Sequence, residues 1–327
     1  MSSSNSPIFS RQQKSLKQPP LPSDLKAAAP FLQGAKEIEP LIATDLSKLY
    51  DRRAKRLELL AQKAGEDGGE YLHFLRQMVI AQKNILNDNP LKEREVEILK
   101  SWLKSEDFPA QEIFEKTAFL QEQYQFLYQK IASLLPKENL HGFEKLAKDS
   151  DFFAAQAWNL LNGQFKKCEA ALAVPLWASL SLCWAQAAQS YISDFKETKA
   201  TIPSYVDCPC CGSPAVADMV MVGAHEGLRY EQCALCETRW HKVRSVCPEC
   251  FGSEHIDYWS VKEEMPAIEI ESCGDCKTYS KIFRFDRDPH HEICGDDLAS
   301  LVLDALVEEK GFSRRTVNPF AFPFPTK

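Results

Sequence analysis

The chain has 327 residues, of which 44% are hydrophobic and 26% are charged, a composition typical of globular proteins and a length sufficient for two domains. Its formal net charge is −7, and residues 201–327 alone carry 13 Lys and Arg against 21 Asp and Glu. Because binding to a phosphate backbone needs a basic surface, this balance argues against a nucleic-acid-binding protein. The N-terminus lacks the apolar run of a secretory signal, so we expect the twelve cysteines in the reducing cytoplasm.

The N-terminal half of the chain is predicted to be helical. Residues 1–39 are rich in Ser, Pro and Gln and are expected to form a flexible leader, followed by an all-α domain over residues 40–195. The first helix of this domain has leucines on one face, with basic side chains between them: Arg52, Arg53, Lys55 and Arg56. Arg53 and Arg56 could face a groove between this domain and the C-terminal half, but we expect them to be solvated. Four further helices are predicted at residues 71–86, after Asn89-Pro90, after Pro109 and at residues 138–161.

A sixth predicted helix has no charged residue from Ala170 to Ala188, so its composition approaches that of a membrane span. Pro175 and several Ser and Gln residues dilute its hydrophobicity, and its many alanines suit close contact with other helices. We therefore predict a buried core helix and no membrane insertion. Cys168 and Cys183 are predicted to be small buried apolar groups within this domain.

After a predicted linker at residues 196–206, four Cys-x-x-Cys pairs follow one another: Cys208/Cys211, Cys233/Cys236, Cys247/Cys250 and Cys273/Cys276. The third pair repeats the first with an offset of 39 residues, and the fourth repeats the second with an offset of 40. This pattern indicates a tandem duplication, with modules at residues 207–245 and 246–290. Each module supplies the four thiolates that a tetrahedral ion requires, so we predict two metal sites.

Other features repeat between the two modules. Strands are predicted at residues 215–222 and 228–230 in the first module, and at residues 256–261 and 267–270 in the second. Gly212 and Gly252 follow their cysteine pairs, where a turn around a metal often requires a positive φ. The predicted fold class is thus α+β multidomain, with an all-α domain followed by two tandem zinc-ribbon-like modules.

Residues 291–327 are predicted to form a C-terminal helix and an extended tail. A strand at residues 279–285 precedes the helix, which would span residues 298–310 with Asp296 or Asp297 as its N-cap. The tail at residues 318–325 contains three Phe and three Pro residues. Its aromatic side chains would either bind a partner or close the core: Phe320, Phe322 and Phe324.

Nothing in the sequence predicts a catalytic residue. A four-thiolate site has no open coordination position, so it cannot activate water, and we expect the protein not to be an enzyme. The histidines of the C-terminal half are expected to lie at the surface, although one that follows Trp240 could hydrogen-bond near a sulfur: His225, His241, His255, His290 and His291.

Several stretches together resemble the formate dehydrogenase accessory protein FdhE family. They are CPCCGSP at residues 208–214, GLRYEQCALC at 227–236, DDLASL at 296–301 and NPF at 318–320, with RAKRL at 53–57 and YLHFL at 71–75 in the helical half. The similarity extends over about residues 40–322. It implies a cytoplasmic accessory protein that is required for active formate dehydrogenase and contacts the catalytic subunit of that enzyme.

The resemblance also implies two rubredoxin-like iron ions, held by Cys208, Cys211, Cys233 and Cys236 and by Cys247, Cys250, Cys273 and Cys276. The residues alone fit zinc equally well. Cys210 lies between the first two ligands and is a competing thiol. A structural double-zinc scaffold and a thiol-redox protein remain alternatives. The sequence does not identify the partner-binding surface, for which the groove between helices and ribbons is our hypothesis.

Overall fold

The computed structural model describes residues 38–65, 68–103, 114, 117–198, 206–261 and 265–322. The predicted leader lies outside these residues except for its last two positions, and Phe324 also lies outside them. Of the predicted linker, residues 199–205 lie outside, whereas residues 196–198 continue the long helix that begins at Ala170. Within them a helical N-terminal region is followed by a region that contains a sheet and both four-cysteine clusters. The predicted fold class is therefore confirmed.

Seven α-helices make up the helical region of the described chain: α1 (Leu46–Ala64), α2 (Gly69–Asp88), α3 (Glu93–Leu103), α4 (Ala118–Ile131), α5 (Leu140–Lys148), α6 (Ser150–Leu161) and α7 (Ala170–Thr198). The single helix predicted over residues 138–161 is wrong. Asp149 takes an extended conformation between α5 and α6, and its side chain accepts a hydrogen bond from the Phe152 amide. This N-cap starts a new helix because it satisfies an amide that the first turn leaves unpaired.

Helix α7 forms the centre of the helical region. Its segment Ala170–Asp194 is long and apolar enough to cross a membrane by length and composition, but 78% of the most apolar window is buried inside the structure. Helices α2, α3, α4 and α6 pack against it. Its large side chains Trp177 and Trp184 are almost fully buried, and so is Cys183. This burial is what the sequence predicted for a core helix.

Among the described residues, eight strands form one sheet: β1 (Leu41–Ile42), β2 (Ala215–Val220), β3 (Arg229–Cys233), β4 (Arg239–His241), β5 (Ile256–Trp259), β6 (Ile268–Cys273), β7 (Thr278–Arg284) and β8 (Ser313–Arg314). The strand order is β1-β4-β3-β2-β7-β6-β5, and β8 also pairs with β7. The first module contributes β2–β4 and the second contributes β5–β7. Parallel pairing of β2 with β7 joins them, with Asp218 opposite Ile282, so the two modules share one continuous sheet.

A buried group of charges crosses the junction between the modules. Arg229 of β3 donates hydrogen bonds to Asp218 of β2 and to Glu271 of β6. The Lys242 ammonium lies 2.8 Å from Glu271 Oε1, and the Ser280 hydroxyl donates to Asp218 Oδ2 at 2.6 Å. These side chains are buried, and an unpaired buried charge would strongly destabilise the fold. Their ion pairs and hydrogen bonds with one another offset the cost of removing them from water.

Two short helices, α8 (Ile293–Ala299) and α9 (Leu301–Glu308), replace the single C-terminal helix that the sequence predicted. The predicted caps are also wrong. The N-cap of α8 is Glu292, whose side chain accepts a hydrogen bond from the Gly295 amide. Asp296 and Asp297 lie inside α8 and are buried.

The C-terminal tail packs onto the helical region. The Tyr71 hydroxyl donates a hydrogen bond to the Phe320 carbonyl oxygen at 2.6 Å, and the Phe320 side chain is buried. The Phe322 ring meets the Trp177 ring edge-on, with 5.1 Å between their centroids. Of the two roles considered for the tail aromatics, closing the core is the one that these two side chains fulfil.

Candidate metal centres

The first cluster contains the sulfurs of Cys208, Cys211, Cys233 and Cys236, all within 4.8 Å of one another. The Sγ atoms of Cys208 and Cys236 are 3.5 Å apart, and those of Cys211 and Cys233 are 3.4 Å apart. Four thiolates at about 2.3 Å from a tetrahedral ion would be separated by about 3.8 Å, whereas a disulfide requires about 2.05 Å. The arrangement therefore fits a metal ion and not a covalent bridge.

The second cluster repeats the arrangement with Cys247, Cys250, Cys273 and Cys276. The Sγ atoms of Cys247 and Cys276 are 3.6 Å apart, as are those of Cys250 and Cys273. The sequence repeat thus brings together in space the same eight cysteines that it singled out. Cys210 is buried beside Cys208 but is not one of the four clustered sulfurs.

All four Cys-x-x-Cys turns share one backbone feature. The residue after the second cysteine is left-handed, with φ between 59° and 72°, at Gly212, Glu237, Phe251 and Lys277. A left-handed residue other than glycine costs about 1 kcal/mol or more. In the second turn, which ends at the left-handed Glu237, the backbone amides of Leu235 and Cys236 both donate hydrogen bonds to Cys233 Sγ at 3.3 Å. Such bonds stabilise a thiolate.

Gly252 is not the left-handed residue of its turn, so that prediction is wrong. Phe251 takes this position, because the equivalent of Gly212 lies 39 residues further on. A Cβ at Gly252 would lie 2.6 Å from Asp275 Oδ2 and 3.4 Å from Cys250 Sγ, so a larger residue would displace the exposed Asp275 carboxylate. Asp275 also lies 2.7 Å from His255 Nδ1, so an exposed His–Asp pair borders the second cluster.

A threonine hydroxyl contacts one sulfur in each cluster. Thr238 Oγ1 is 3.2 Å from Cys236 Sγ, and Thr278 Oγ1 is 3.0 Å from Cys276 Sγ. Toward a thiolate the hydroxyl is the donor, so each threonine supplies a hydrogen bond to a ligand sulfur. The match between Thr238 and Thr278 shows that the duplication extends beyond the cysteines.

The two clusters differ in their access to solvent. The four cysteines of the first cluster are at most 3% exposed, whereas Cys250 of the second cluster is exposed and Cys276 is partly exposed. The difference arises because the first cluster packs on the helical region. The Trp177 indole N–H donates to the Ala234 carbonyl oxygen at 2.9 Å, and the Ser181 hydroxyl donates to the Leu235 carbonyl oxygen at 2.7 Å.

Burial also affects the ionisation of the thiols. It raises the pKa of Cys233 and Cys236 well above the usual value, since four thiolates repel one another in a space from which water is excluded. In the second cluster burial raises the pKa of Cys247 to about 12. A bound cation removes this penalty, so the donor set fits a divalent or trivalent metal ion.

Two residues that the sequence placed at the surface are buried. Arg53 donates from Nε to Glu292 and from both Nη atoms to Glu237. His291 lies with Nδ1 3.2 Å from Asp296 Oδ2 and with its ring edge-on to Phe283. A signal for Arg53 was present, since it occupies a position on the apolar face of α1: Leu46, Leu49, Tyr50, Leu57 and Leu60.

The other predicted surface histidines vary in exposure. His255 and His290 are exposed. His225 and His241 are half-buried, and both of their rings meet the Tyr230 ring edge-on.

Comparison with known proteins places this architecture in a family. The family descriptions that match are "FdhE, N-terminal" at residues 38–199, "FdhE, central domain" at 207–244 and "FdhE, C-terminal domain" at 243–321. An FdhE homolog of Serratia proteamaculans is 38% identical over 296 residues, which is 88% of this chain and 93% of that protein. An FdhE homolog of Proteus mirabilis is 35% identical over 308 residues, which is 93% of this chain and 98% of that protein.

A solved structure agrees with these relatives. The crystal structure of the FdhE protein from Pseudomonas aeruginosa matches with a TM-score of 0.73 at 28% identity, over 88% of this chain and 100% of that one. The helical region, the sheet and the cysteine clusters all lie within the matched families. The chain belongs to the FdhE family.

Proposed function

We propose that this protein is a cytoplasmic accessory protein for formate dehydrogenase, which binds the catalytic subunit of that enzyme and is required for its activity. The observation that carries the proposal is membership of the FdhE family across nearly the whole described chain, together with both four-cysteine clusters.

The clusters are proposed to hold two iron ions in rubredoxin-like sites. Cys208, Cys211, Cys233 and Cys236 would hold one ion, and Cys247, Cys250, Cys273 and Cys276 the other. Each ion, when bound, links the turns between strands, and iron would also supply a one-electron redox couple. Amide and threonine hydrogen bonds to the sulfurs favour the thiolate form that either iron or zinc requires.

The same geometry supports a role without catalysis. A tetrahedral site with four thiolates leaves no position for water or substrate, so we infer no hydrolytic or Lewis-acid chemistry at either cluster. A thiol-redox protein usually relies on a single Cys-x-x-Cys pair at the start of a helix. Here one pair precedes a strand and the other three lie between strands, and the pairs combine two by two, an arrangement that favours metal binding.

The experiment is affinity purification of the tagged chain from anaerobically grown cells, with metal analysis and absorption spectroscopy on the same sample. The proposal expects the formate dehydrogenase catalytic subunit to be retained and two equivalents of iron with ferric-thiolate colour. Two equivalents of zinc without colour would favour the structural double-zinc scaffold. Failure to retain the catalytic subunit in cells that produce it would contradict the accessory function.

A matched pair of variants tests the ligands. Cys247→Ala with Cys250→Ala should remove one of the two metal equivalents, because both residues belong to the second cluster. Cys168→Ala removes a cysteine that lies outside both clusters and should leave the metal content unchanged. Two equivalents of metal in the double variant would overturn the ligand assignment.

A further inference from the structure

Two adjoining clefts run along α1 where the helical region meets the sheet region. Lys48 and Arg52 line both clefts, which have volumes of about 160 and 490 Å³. The smaller cleft reaches Arg239 of β4, and the larger one reaches Lys55 and His290, the latter in the loop before α8. We call this continuous feature, bordered by Lys48, Arg52, Lys55, Arg239 and His290, the α1 trough.

The basic run at residues 52–56 divides into two pairs that face different ways. Arg53 and Arg56 form ion pairs with carboxylates of the sheet region, at Glu237, Glu292, Asp288 and Asp296. Within the described residues Arg52 and Lys55 have no ion pair, and both are exposed. The Arg52 guanidinium lies 6.0 Å from the centroid of the Phe285 ring, an interaction that holds it at the edge of the trough.

Arg239 adds a third cation without an acidic partner among the described ion pairs. It is half-buried, and its Nε donates a hydrogen bond to Gln232 Oε1 at 3.2 Å. Burial and, secondarily, the neighbouring Arg52 charge lower the pKa of Arg239 to about 10. An anion placed between the two guanidinium groups would relieve both the desolvation and the repulsion.

We propose that the α1 trough binds an extended acidic segment of a protein partner. This inference rests on the proposed function, in which that partner is the formate dehydrogenase catalytic subunit. From Lys48 to Leu59 the helix spans about 16 Å, which matches about five residues of an extended peptide. Arg52 and Lys55 lie one helical turn apart, so they can meet successive carboxylates along a chain, and the Arg52 guanidinium can bind one carboxylate with two hydrogen bonds. Lys48, one turn before Arg52, is paired with Asp45 at 3.0 Å and adds a weaker, partly compensated charge.

Nucleic acid is the less suitable polyanion for this surface. Asp45 and Asp51 also line the trough, and carboxylates at these places would repel a continuous phosphate backbone. A peptide can avoid both by the placement of its own side chains. The net charge of −7 also disfavours nucleic-acid binding, because long-range repulsion opposes the approach of DNA or RNA.

The first test uses fluorescence anisotropy to measure the binding of a fluorescein-labelled hexapeptide in which Glu alternates with Ser, so that its acidic side chains do not form a continuous run of charge. We expect the wild-type protein to bind it with an affinity that falls as salt increases, and Arg52→Glu with Lys55→Glu to weaken binding at least about tenfold. Arg239→Gln should weaken it by about fivefold. Lys166→Glu with Lys167→Glu introduces the same charge change at two exposed lysines away from the trough and should change binding less than about twofold.

Equal binding by the trough variant and the wild type, or no binding by the wild type, would overturn the inference. An oligothymidylate of equal charge that binds as tightly, with the same loss in the trough variant, would overturn the assignment to an acidic peptide. Arg52 and Lys55 are exposed, so urea unfolding of the variant should match that of the wild type within about 0.5 kcal/mol. This control separates loss of binding from loss of folding.

The second test compares how the wild type and the variants retain the formate dehydrogenase catalytic subunit. Retention by the wild type and the lysine control, with loss in the trough variant, supports the inference. Retention by all three proteins overturns it and leaves the proposed function intact. If even the wild type retains nothing, the proposed function fails, and the peptide measurement alone decides whether the trough binds acidic segments.

Discussion

Arg53 of α1 and Glu237 are joined by two hydrogen bonds, of 2.8 Å from Nη1 to Oε1 and 3.1 Å from Nη2 to Oε2. Glu237 is the left-handed residue that follows Cys236 in the first cluster. Arg53 also donates from Nε to Glu292, the N-cap of α8. One buried guanidinium therefore connects the helical region, a cysteine turn and the C-terminal helices.

Replacing Arg53 should destabilise the whole chain. In Arg53→Met two buried carboxylates, those of Glu237 and Glu292, would lose their shared cation, so we expect the free energy of unfolding to fall by about 3–5 kcal/mol. Arg52→Met makes the same chemical change at an exposed position one residue earlier and should cost less than about 0.5 kcal/mol. Urea unfolding followed by circular dichroism measures both. If both variants lose the same free energy of unfolding, the buried ion pairs of Arg53 do not stabilise the protein more than an exposed arginine does.

Local patterns in the sequence were sufficient to predict the clusters. A metal turn needs only two cysteines at a fixed spacing, and a repeat at 39 and 40 residues marks the two modules without any long-range information. The core role of α7 was equally readable, since it depends on composition within one segment. Both features are properties of short stretches of chain.

Features that depend on contacts between distant segments could not be predicted. The parallel pairing of β2 with β7 unites the modules, yet Asp218 and Ile282 are far apart in sequence. No local sequence pattern indicates that these two residues lie opposite each other. The early start of α8 depends on Glu292 as its N-cap, and Glu292 accepts a hydrogen bond from Arg53, which lies near the other end of the chain. Arg53 was assigned to solvent by residue type, although its position matched the apolar face.

The unequal exposure of the clusters predicts two rates of metal loss. With a colorimetric chelator in excess at neutral pH, we expect one equivalent to leave from the second cluster at least about tenfold faster than the other. Cys250 is exposed, whereas release from the buried first cluster requires the contact of Trp177 with the Ala234 carbonyl to open. Stopped-flow absorbance of the chelator complex gives both rates.

A variant assigns the fast phase of this release. Cys247→Ala with Cys250→Ala should leave only the slow equivalent, since it removes two ligands of the open cluster. A single phase of two equivalents in the wild type would contradict the expected difference. So would a double variant that retains the fast phase.

The buried charges between the modules predict a stability that depends on pH. Burial by itself would raise the pKa of Asp218, but the nearby Arg229, Lys242 and Arg315 outweigh it and hold this pKa well below the usual range. A carboxyl group with a lowered folded-state pKa stabilises the fold above its unfolded pKa of about 4, and the contribution is lost as the pH falls through the folded pKa. Acid should therefore weaken the junction between the modules.

Asp218→Asn isolates this contribution. At pH 7 we expect the variant to be less stable than the wild type by about 3 kcal/mol, and the difference should shrink as the pH falls below about 4. Comparing the two proteins at each pH cancels the general effect of acid on the thiolates. Asp257→Asn, on the exposed face of β5, should cost less than about 0.5 kcal/mol at either pH. A difference at Asp218 that stays constant with pH would contradict the assignment.

The C-terminal tail offers a prediction that separates its two conceivable roles. The Phe320 side chain is 5% exposed and lies beneath the Arg53 guanidinium, 5.8 Å from the ring centroid. Its truncation in Phe320→Ala should lower the free energy of unfolding by about 3–4 kcal/mol through lost burial and the cavity that remains. Val302→Ala, at a side chain that is 66% exposed, should cost less than about 0.5 kcal/mol.

Tyr71→Phe provides a finer check on the same contact. It removes the hydroxyl that donates to the Phe320 carbonyl and should cost about 1 kcal/mol, because a single hydrogen bond is lost without a cavity. Both variants should still retain the partner under conditions in which they are folded, since the ring closes the core. A Phe320→Ala protein with unchanged unfolding but lost partner retention would instead make the tail a docking element.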